Sequence, residues 1–473
     1  MAVPFLTPNL NSMKFSLIVA LFCSLLTALS CLTSVGQVPI KDLKKQNWFT
    51  SGETSFQSNV LTLVGTDSYA RLKKGNYQDF DLSLELRTRR GGKGYVSIHT
   101  DQTGKGHRIA IDNDLNNAVW WKKTGSLITV RNLTKSLAKD NEWFQLSIKV
   151  QGQRITVEVN RQLVVDYTEP VQPLRLKPNR AALLSAGTIA ITSTGKGEID
   201  LRRVSISELD SKNLDKAAQL AEAIDEQTDP IIRLHQEDFP VLDYHVHLKG
   251  TLTKNVAAAQ SRKIGINYAI APNAGVGFPL HDDDGINRYL DTMKNVPFLL
   301  PMQAEGRDWI GAFSEPALKR FDFLFTDAET FTDLKGRKTR LWVENEVFID
   351  NEQAYMELIV DKIIGVLQEP VDIYVNPFFL PKVLQARAEE LWTPERKTKV
   401  ITALAKSGKA MEINNRYKIP SAAIIQEAKA AGIKFSFGTN NVTSELGKLE
   451  YCLQMKEKCL IQAEDMYKPR ISN

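Results

Sequence analysis

Phe239-Pro240-Val241-Leu242-Asp243-Tyr244-His245-Val246-His247-Leu248 is an apolar run that ends in a carboxylate and two imidazoles. In an extended strand alternate side chains share a face, so Asp243, His245 and His247 point the same way. Neutral imidazole nitrogen and carboxylate oxygen gathered at a strand end suit a divalent transition metal such as Zn, Mn or Fe. Only six histidines occur in the 473 residues, and two of them fall in this motif. Outward from it, short apolar runs alternate with helical stretches, the pattern of a parallel sheet with crossover helices. Seven runs are expected as strands, at 241–247, 268–272, 298–304, 321–325, 372–375, 410–413 and 434–437. Each carries a polar residue at or just past its C-terminal end: the Asp243-His245-His247 group, Asn273, Glu305, Asp327, Asn376, Glu412 with Asn414, and Asn440. A β/α barrel builds its site at that rim, so these residues are expected to share one. Glu412 weighs most, because it lies inside the apolar run Ala410-Met411-Glu412-Ile413, where a charge is costly unless paired or metal-bound.

Residues 46–208 have a different rhythm. Phe80-Asp-Leu-Ser-Leu-Glu-Leu-Arg87, Trp143-Phe-Gln-Leu-Ser-Ile-Lys-Val150 and Arg154-Ile-Thr-Val-Glu-Val-Asn160 alternate apolar and polar residues. Further strands are expected at 95–99, 107–111, 187–193 and 198–207, separated by turn signals such as Gly91-Gly92 and Asp112-Asn113-Asp114. Half-buried strands at hairpin spacing predict an antiparallel β-sandwich. Between the halves, 209–237 is polar and alanine-rich with helical spacing and reads as a connecting helix. The expected division is an export segment over 1–36, a sandwich over 37–208, a connector over 209–237 and a seven-stranded β/α domain over 238–473.

Met13-Lys14-Phe15 followed by the apolar 16–32 and Ser34-Val35-Gly36 reads as a signal peptide, with Met13 as an alternative start. Cys31 sits in an imperfect lipobox and could carry a lipid anchor. The apolar run is short for a full span, so no transmembrane helix is expected in the mature chain. The expected location is the periplasm or the extracellular space. Cys452 and Cys459 stand seven apart in a helical stretch, about 10 Å apart along its axis, beyond disulfide reach. The formal charge of +5 comes without a basic block, which argues against a nucleic-acid partner and leaves a small molecule or carbohydrate.

The C-terminal half resembles the polymerase and histidinol phosphatase (PHP) superfamily. The matching stretches are Asp243-Tyr-His245-Val-His247, Gln303-Ala-Glu305-Gly306, Met411-Glu412-Ile413-Asn414 and Phe437-Gly438-Thr439-Asn440-Asn441. The resemblance implies a distorted seven-stranded β/α barrel that hydrolyses phosphoesters with two or three Zn, Mn or Fe ions. Asn273, Asn376 with Pro377, and Asn440 stand where that superfamily carries histidines or a carboxylate, and Asp327 replaces a further histidine. These departures reduce the expected cluster to one ion, held by His245, His247 and Glu305 or Asp327. Glu412, Asp243 and Lys249 are the catalytic candidates, and Arg307, Arg416, Asn273, Asn376 and Asn440 the substrate-binding ones. Lys249 reads equally as a solvated loop lysine, and the two arginines as loop salt bridges. The Asp282-Asp283-Asp284 run beside His281 reads as a solvated turn or as the source of a general base.

The N-terminal half resembles the concanavalin-like 3-keto-disaccharide hydrolase type. Tyr77-Gln-Asp-Phe-Asp-Leu, Trp143 before Val150-Gln-Gly-Gln-Arg-Ile-Thr-Val-Glu-Val-Asn160, and the strands over 187–209 carry that likeness. Where the family has Asn-Ser-Gly, this chain has Gly94-Tyr-Val-Ser97. Trp120-Trp121 reads either as a sugar-stacking pair or as buried sandwich aromatics. The leading functional expectation is an exported metal-dependent hydrolase of a carbohydrate-derived or phosphorylated substrate, with the sandwich as a binding module. Its alternatives are catalysis on 3-keto-sugars in the sandwich and a ligand-binding pseudo-enzyme.

Overall fold

The computed structural model describes residues 38–40, 43–101, 105–114, 116–177 and 179–470. The expected export segment, with Met13 and Cys31, lies outside them. Among the described residues, no helix is long and apolar enough to cross a membrane.

The N-terminal half is one antiparallel sheet of eleven strands, curled so that its apolar face closes on itself. The first six are β1 (Val38–Ile40), β2 (Trp48–Gln57), β3 (Val60–Leu72), β4 (Phe80–Thr88), β5 (Lys93–Thr100) and β6 (His107–Asp112). The others are β7 (Phe144–Gln151), β8 (Arg154–Val159), β9 (Gln162–Thr168), β10 (Thr188–Ser193) and β11 (Glu198–Glu208). They run in the order β6-β5-β10-β3-β11-β4-β7-β8-β9, with β1 on β11 and β2 on β3. Strand β3 makes the curl. Its first part pairs with β11 through Val64↔Glu198, and its second part pairs with β10 through Arg71↔Ala190. The kink falls where β2 slips register between Ser51 and Glu53, at Gly52 with φ +72°, and a Cβ there would stand 2.8 Å from the Ser68 Cα. The alternation read from the sequence is realised: β4 buries Phe80, Leu82, Leu84 and Leu86, and β7 buries Phe144, Leu146, Ile148 and Val150.

The C-terminal half combines parallel sheet and helices. Strand β12 (Leu242–Val246) pairs with β13 (Asn267–Ile270). A six-stranded parallel sheet holds β14 (Asn273–Ala274), β15 (Met302–Ala304), β16 (Leu324–Thr326), β19 (Ile373–Tyr374), β20 (Ala410–Asn414) and β21 (Phe435–Gly438) in that order. A hairpin of β17 (Thr330–Thr332) and β18 (Lys338–Arg340) follows β16. The seven expected runs all contain strand, though most strands are shorter than expected, and flanking residues such as Val241, Phe298 and Phe323 stay buried outside them. The contacts that join the sheets include an Ala269↔Leu299 parallel bridge and the Asn440 N–H donating to the His245 carbonyl at 2.9 Å. Helices flank the strands, and their ends obey local chemistry. Glu352–Val366 is capped by the Asn351 side chain on the Ala354 N–H. Pro394–Ser407 opens on proline behind a Thr393 cap and closes on left-handed Gly408.

Three expectations are corrected. The connector is not one helix: it contains Lys216–Gln219 and Pro230–Gln236, each started by an aspartate cap, with irregular chain between. Asp282 is not a free turn carboxylate, since its side chain accepts from the Gly285 N–H and caps the helix Asp283–Thr292. Trp120 and Trp121 do not present a sugar platform. They lie edge to face at 5.7 Å, buried in the core of the C-terminal half, with the Trp121 indole N–H donating to Asp238 at 3.0 Å. Cys452 and Cys459 are free and buried, in keeping with the spacing argument.

The same sandwich loop carries Arg131 across the junction, where it donates to the Gly265 carbonyl at 2.9 Å and the Ser261 hydroxyl at 2.8 Å. His235 seals the contact. Its Nε2 lies 2.9 Å from the Gly265 carbonyl, and its Nδ1 accepts from the Asn132 N–H at 3.4 Å, an arrangement only a neutral ring satisfies. Burial, with Arg131 adding to it, pushes this imidazole down to about 3. A histidine depressed below its unfolded value contributes stability that is complete above pH 6.5 and is lost as pH falls toward the folded value. Urea unfolding at pH 7 and at pH 4.5 is therefore expected to differ by on the order of a few kcal/mol from this group. His235→Gln should narrow that difference.

Candidate functional site

The ends of β12, β14, β15, β16, β19, β20 and β21 meet around one cavity of about 210 Å³. His247, Lys249, Asn273, Glu305, Asp327, Asn376, Arg416 and Asn440, all expected at a site, line it. Gln303, Glu329, Trp342, Tyr417 and Asn441, which the sequence reading left without roles, line it as well.

Beneath this cavity lies a fully buried ion pair. His245 Nδ1 is 2.7 Å from Glu412 Oε1, and neither side chain reaches solvent. Glu412 Oε2 accepts from the Asn376 N–H at 2.8 Å and from Asn414 Nδ2 at 2.9 Å. The other His245 nitrogen faces Gln303 Oε1 at 3.3 Å, so both ring nitrogens meet acceptors. Burial disfavours charge on this ring, yet the Glu412 carboxylate outweighs it and holds the pKa above its ordinary value. Asp243 is equally deep. Its carboxylate accepts from the Thr439 N–H at 3.0 Å, the Thr439 hydroxyl at 2.6 Å and the His245 N–H at 3.1 Å, and burial raises it to about 6. Asp243 and Glu412, expected as catalytic groups, do not line the cavity. They tie β12 to β19, β20 and β21 from below.

His247 is arranged differently. Nδ1 donates to the Ala271 carbonyl at 2.9 Å, which leaves the lone pair of the neutral ring on Nε2. Burial and the neighbouring His245 push its pKa down to about 3. Asn441 clamps its backbone, accepting from the His247 N–H at 2.8 Å and donating to its carbonyl at 2.9 Å.

Three buried carboxylates line the same cavity as His247. Glu305 accepts from Asn273 Nδ2 at 2.5 Å, and burial together with Asp327 raises it to about 7. Asp327 accepts from the Glu329 N–H at 2.9 Å and from Gln303 Nε2 at 3.4 Å, and burial raises it. Glu329 is pushed well above the carboxylate range by burial, then by Asp327 and Glu305, and its Oε1 has no hydrogen-bond partner among the described residues. Glu329 lies in the bend between β16 and β17, where the Asp327 side chain accepts from its N–H, and no sequence periodicity marked it. Nothing in the sequence pointed to Trp342, which is 45% exposed at the cavity.

The cations divide. Lys249 makes no ion pair among the described residues, and Arg416 only stacks on Tyr417 at 4.8 Å. Arg307, expected to bind substrate, is instead held by Glu369 at 2.8 Å and by the Thr326 hydroxyl at 2.9 Å and does not line the cavity. Asn376 and Asn440 have φ of +48° and +44°, a backbone region asparagine enters more readily than most side chains. Asn376 Oδ1 accepts from Asn414 at 2.7 Å and from Asn440 at 3.1 Å. Both asparagines thus serve the backbone and a polar network as well as the cavity.

The expected single-ion set is only partly assembled. Among the described residues, no three His, Cys, Asp or Glu side chains converge as a ready metal cluster. The donor chemistry nevertheless fits a cation. A neutral imidazole with its lone pair on Nε2 lines the same cavity as three buried acids, one with an oxygen that has no partner among the described residues. His245 fits less well than expected, its ring nitrogens being taken by Glu412 and Gln303.

Residues 41–207 match the family described as the 3-keto-alpha-glucoside-1,2-lyase-like domain. The sandwich is similar to two putative glycosyl hydrolases of Parabacteroides distasonis. One is 15% identical over 35% of this chain and 89% of its own, with a TM-score of 0.31. The other is 23% identical over 35% of this chain and 94% of its own, with a TM-score of 0.30. It is also similar to a carbohydrate-binding module of Bacillus subtilis, 14% identical over 34% of this chain and 96% of that one, with a TM-score of 0.27. No curated protein matches the chain.

Proposed function

We propose that the chain is an exported metal-dependent hydrolase of a carbohydrate-derived or phosphorylated substrate, with chemistry in the C-terminal half and the sandwich as its binding module. The observation that carries this reading is the buried acid cluster of Glu305, Asp327 and Glu329 in one cavity with the neutral His247, where Lys249 and Arg416 make no ion pair among the described residues. The parallel strand order, with the Asn440–His245 link between β21 and β12, supports a distorted seven-stranded PHP-like barrel in which this cavity is the rim site. His247 through Nε2, Glu305, Asp327 and Glu329 would hold one divalent ion. Such an ion, when bound, lowers the pKa of a water and polarises the scissile group. The chain's own residues do the rest. Asn273 fixes the Glu305 carboxylate and Gln303 that of Asp327, while Glu412 and Asp243 keep the strand ends in place from beneath. Lys249 and Arg416 bind an anionic group, and Trp342 and Tyr417 wall the cavity against water. Cys31 supplies a lipid anchor if the export segment is processed there.

The test is metal content by elemental analysis, together with turnover of phosphoesters and 3-keto-glycosides with and without chelator. Stoichiometric metal and chelator-sensitive turnover are expected, and metal-free protein that turns over nothing sinks the reading. Lys249→Ala and Arg416→Ala should each raise KM by roughly 10–100-fold, the worth of a charged hydrogen bond, with little change in stability.

The family match over 41–207 favours one second reading, cleavage of 3-keto-glycosides by the sandwich. A cavity at one end of the sandwich, lined in part by Gln78, His99, Gln153, Glu169 and Ser185, is where it would occur. Chelator-insensitive activity on 3-keto-glycosides that is lost in Glu169→Gln would select it.

A further inference from the structure

A second cavity, of about 490 Å³, adjoins the acid-lined one and shares His247, Lys249 and Asn273 with it. Its size is that of a small-molecule pocket. Beyond those shared residues its walls are apolar, supplied chiefly by Ile270, Phe278, Pro279, Leu280 and Tyr289. The Tyr289 hydroxyl is not offered to an occupant, because it donates to the Ile270 carbonyl at 3.1 Å. The wall is preformed. The Gly275 N–H donates to the Leu280 carbonyl at 2.9 Å and the Phe278 N–H to the Gly275 carbonyl at 2.9 Å, which folds 275–280 into a fixed turn. The polar groups therefore lie along one edge, where the neutral imidazole, the Lys249 ammonium and the Glu305-bound amide divide the apolar space from the acid cluster.

We infer that the substrate is bipartite: its reacting group occupies the acid cavity, and an apolar, ring-sized leaving group lies beside it in the Phe278–Leu280 cleft. The inference rests on the hydrolase reading for the placement of the reacting group. An aryl phosphate monoester meets this description, because its anionic phosphate faces Lys249 while its ring is removed from water. Sugar hydroxyls would find no partners on the apolar side and would be left unpaired.

The test uses the full chain and two probes, phenyl phosphate and methyl phosphate, with affinities from ligand-observed NMR and cation uptake measured on the same samples. Phenyl phosphate is expected to bind at least about tenfold tighter, in line with pocket discrimination between apolar groups. Phenyl protons should show saturation transfer. The half-buried Phe278 can change without emptying the core. Phe278→Ser should erase the gap and Phe278→Leu should keep most of it. Equal affinity for the two probes, or a gap that survives Phe278→Ser, overturns the inference even where cation uptake is intact. A persistent Phe278-dependent gap in protein that takes up no cation supports the cleft assignment and overturns the hydrolase reading instead.

Discussion

Glu412→Ala is expected to destabilise the C-terminal half by about 3–5 kcal/mol, the cost of breaking a buried ion pair, and to abolish function at the site. The substitution strips an acceptor from His245 Nδ1, from the Asn376 N–H and from Asn414 Nδ2 at once, in a place with no solvent to replace it. Costs of this kind do not add simply, because the three donors share one network. Glu412→Gln should fall between, since an amide keeps an acceptor oxygen but gives up the charge opposite His245. Gly438→Ala attacks the same pair from the side. Its Cβ would lie 1.9 Å from Glu412 Oε1 and 2.8 Å from the His245 Cβ, so the two strands must part to admit it. Urea unfolding of the three variants provides the check. A Glu412→Ala protein as stable as the parent would show that the buried pair does not hold the rim together.

The second large effect has opposite signs in stability and binding. Asp327→Asn combined with Glu329→Gln should abolish cation uptake, yet make the metal-free chain more stable by on the order of 1–3 kcal/mol. In the parent, burial and mutual repulsion oppose ionisation of Glu305 and Glu329, burial opposes that of Asp327, and one Glu329 oxygen goes unsatisfied. Neutral amides remove the repulsion and bring donors for the remaining carboxylate. Sites kept for function commonly trade stability in this way. Thermal unfolding with and without added Mn or Zn measures both quantities. A double variant that is less stable than metal-free parent, or still shifted by metal, would count against the cluster as a cation site.

Much of this was legible beforehand. Alternation located the sandwich strands because each has one face on a core and one on solvent. The C-terminal strands were legible as apolar runs, and Glu412 stood out because its charge interrupts one. What one sequence did not reveal was where a polar side chain finds its partner. Arg307 is consumed by Glu369, far along the chain, and no local spacing signals that pairing. Trp120 and Trp121 looked like either surface or sandwich aromatics, because the half they pack against is built from distant residues. Asn376 read as a histidine, and Asn440 as a carboxylate, lost from a cluster. Their left-handed backbone gives asparagine a reason of its own to be there. The helical composition of the connector overstated its helix, since short polar segments that cap on aspartate and then bend do not propagate.

The loop that seats Trp120, Trp121 and Arg131 in the second half also constrains the order of events at the ribosome. The sandwich emerges first, and its strands can pair without help, but that loop lacks its partners Asp238, Ser261 and Gly265 until the first part of the second half has been made. Until then two indoles and a guanidinium destined for burial stand in solvent, the kind of exposed surface that invites misassembly. Severing the chain between its halves would make that transient state permanent, so a free sandwich is expected to be the sticky fragment of the pair.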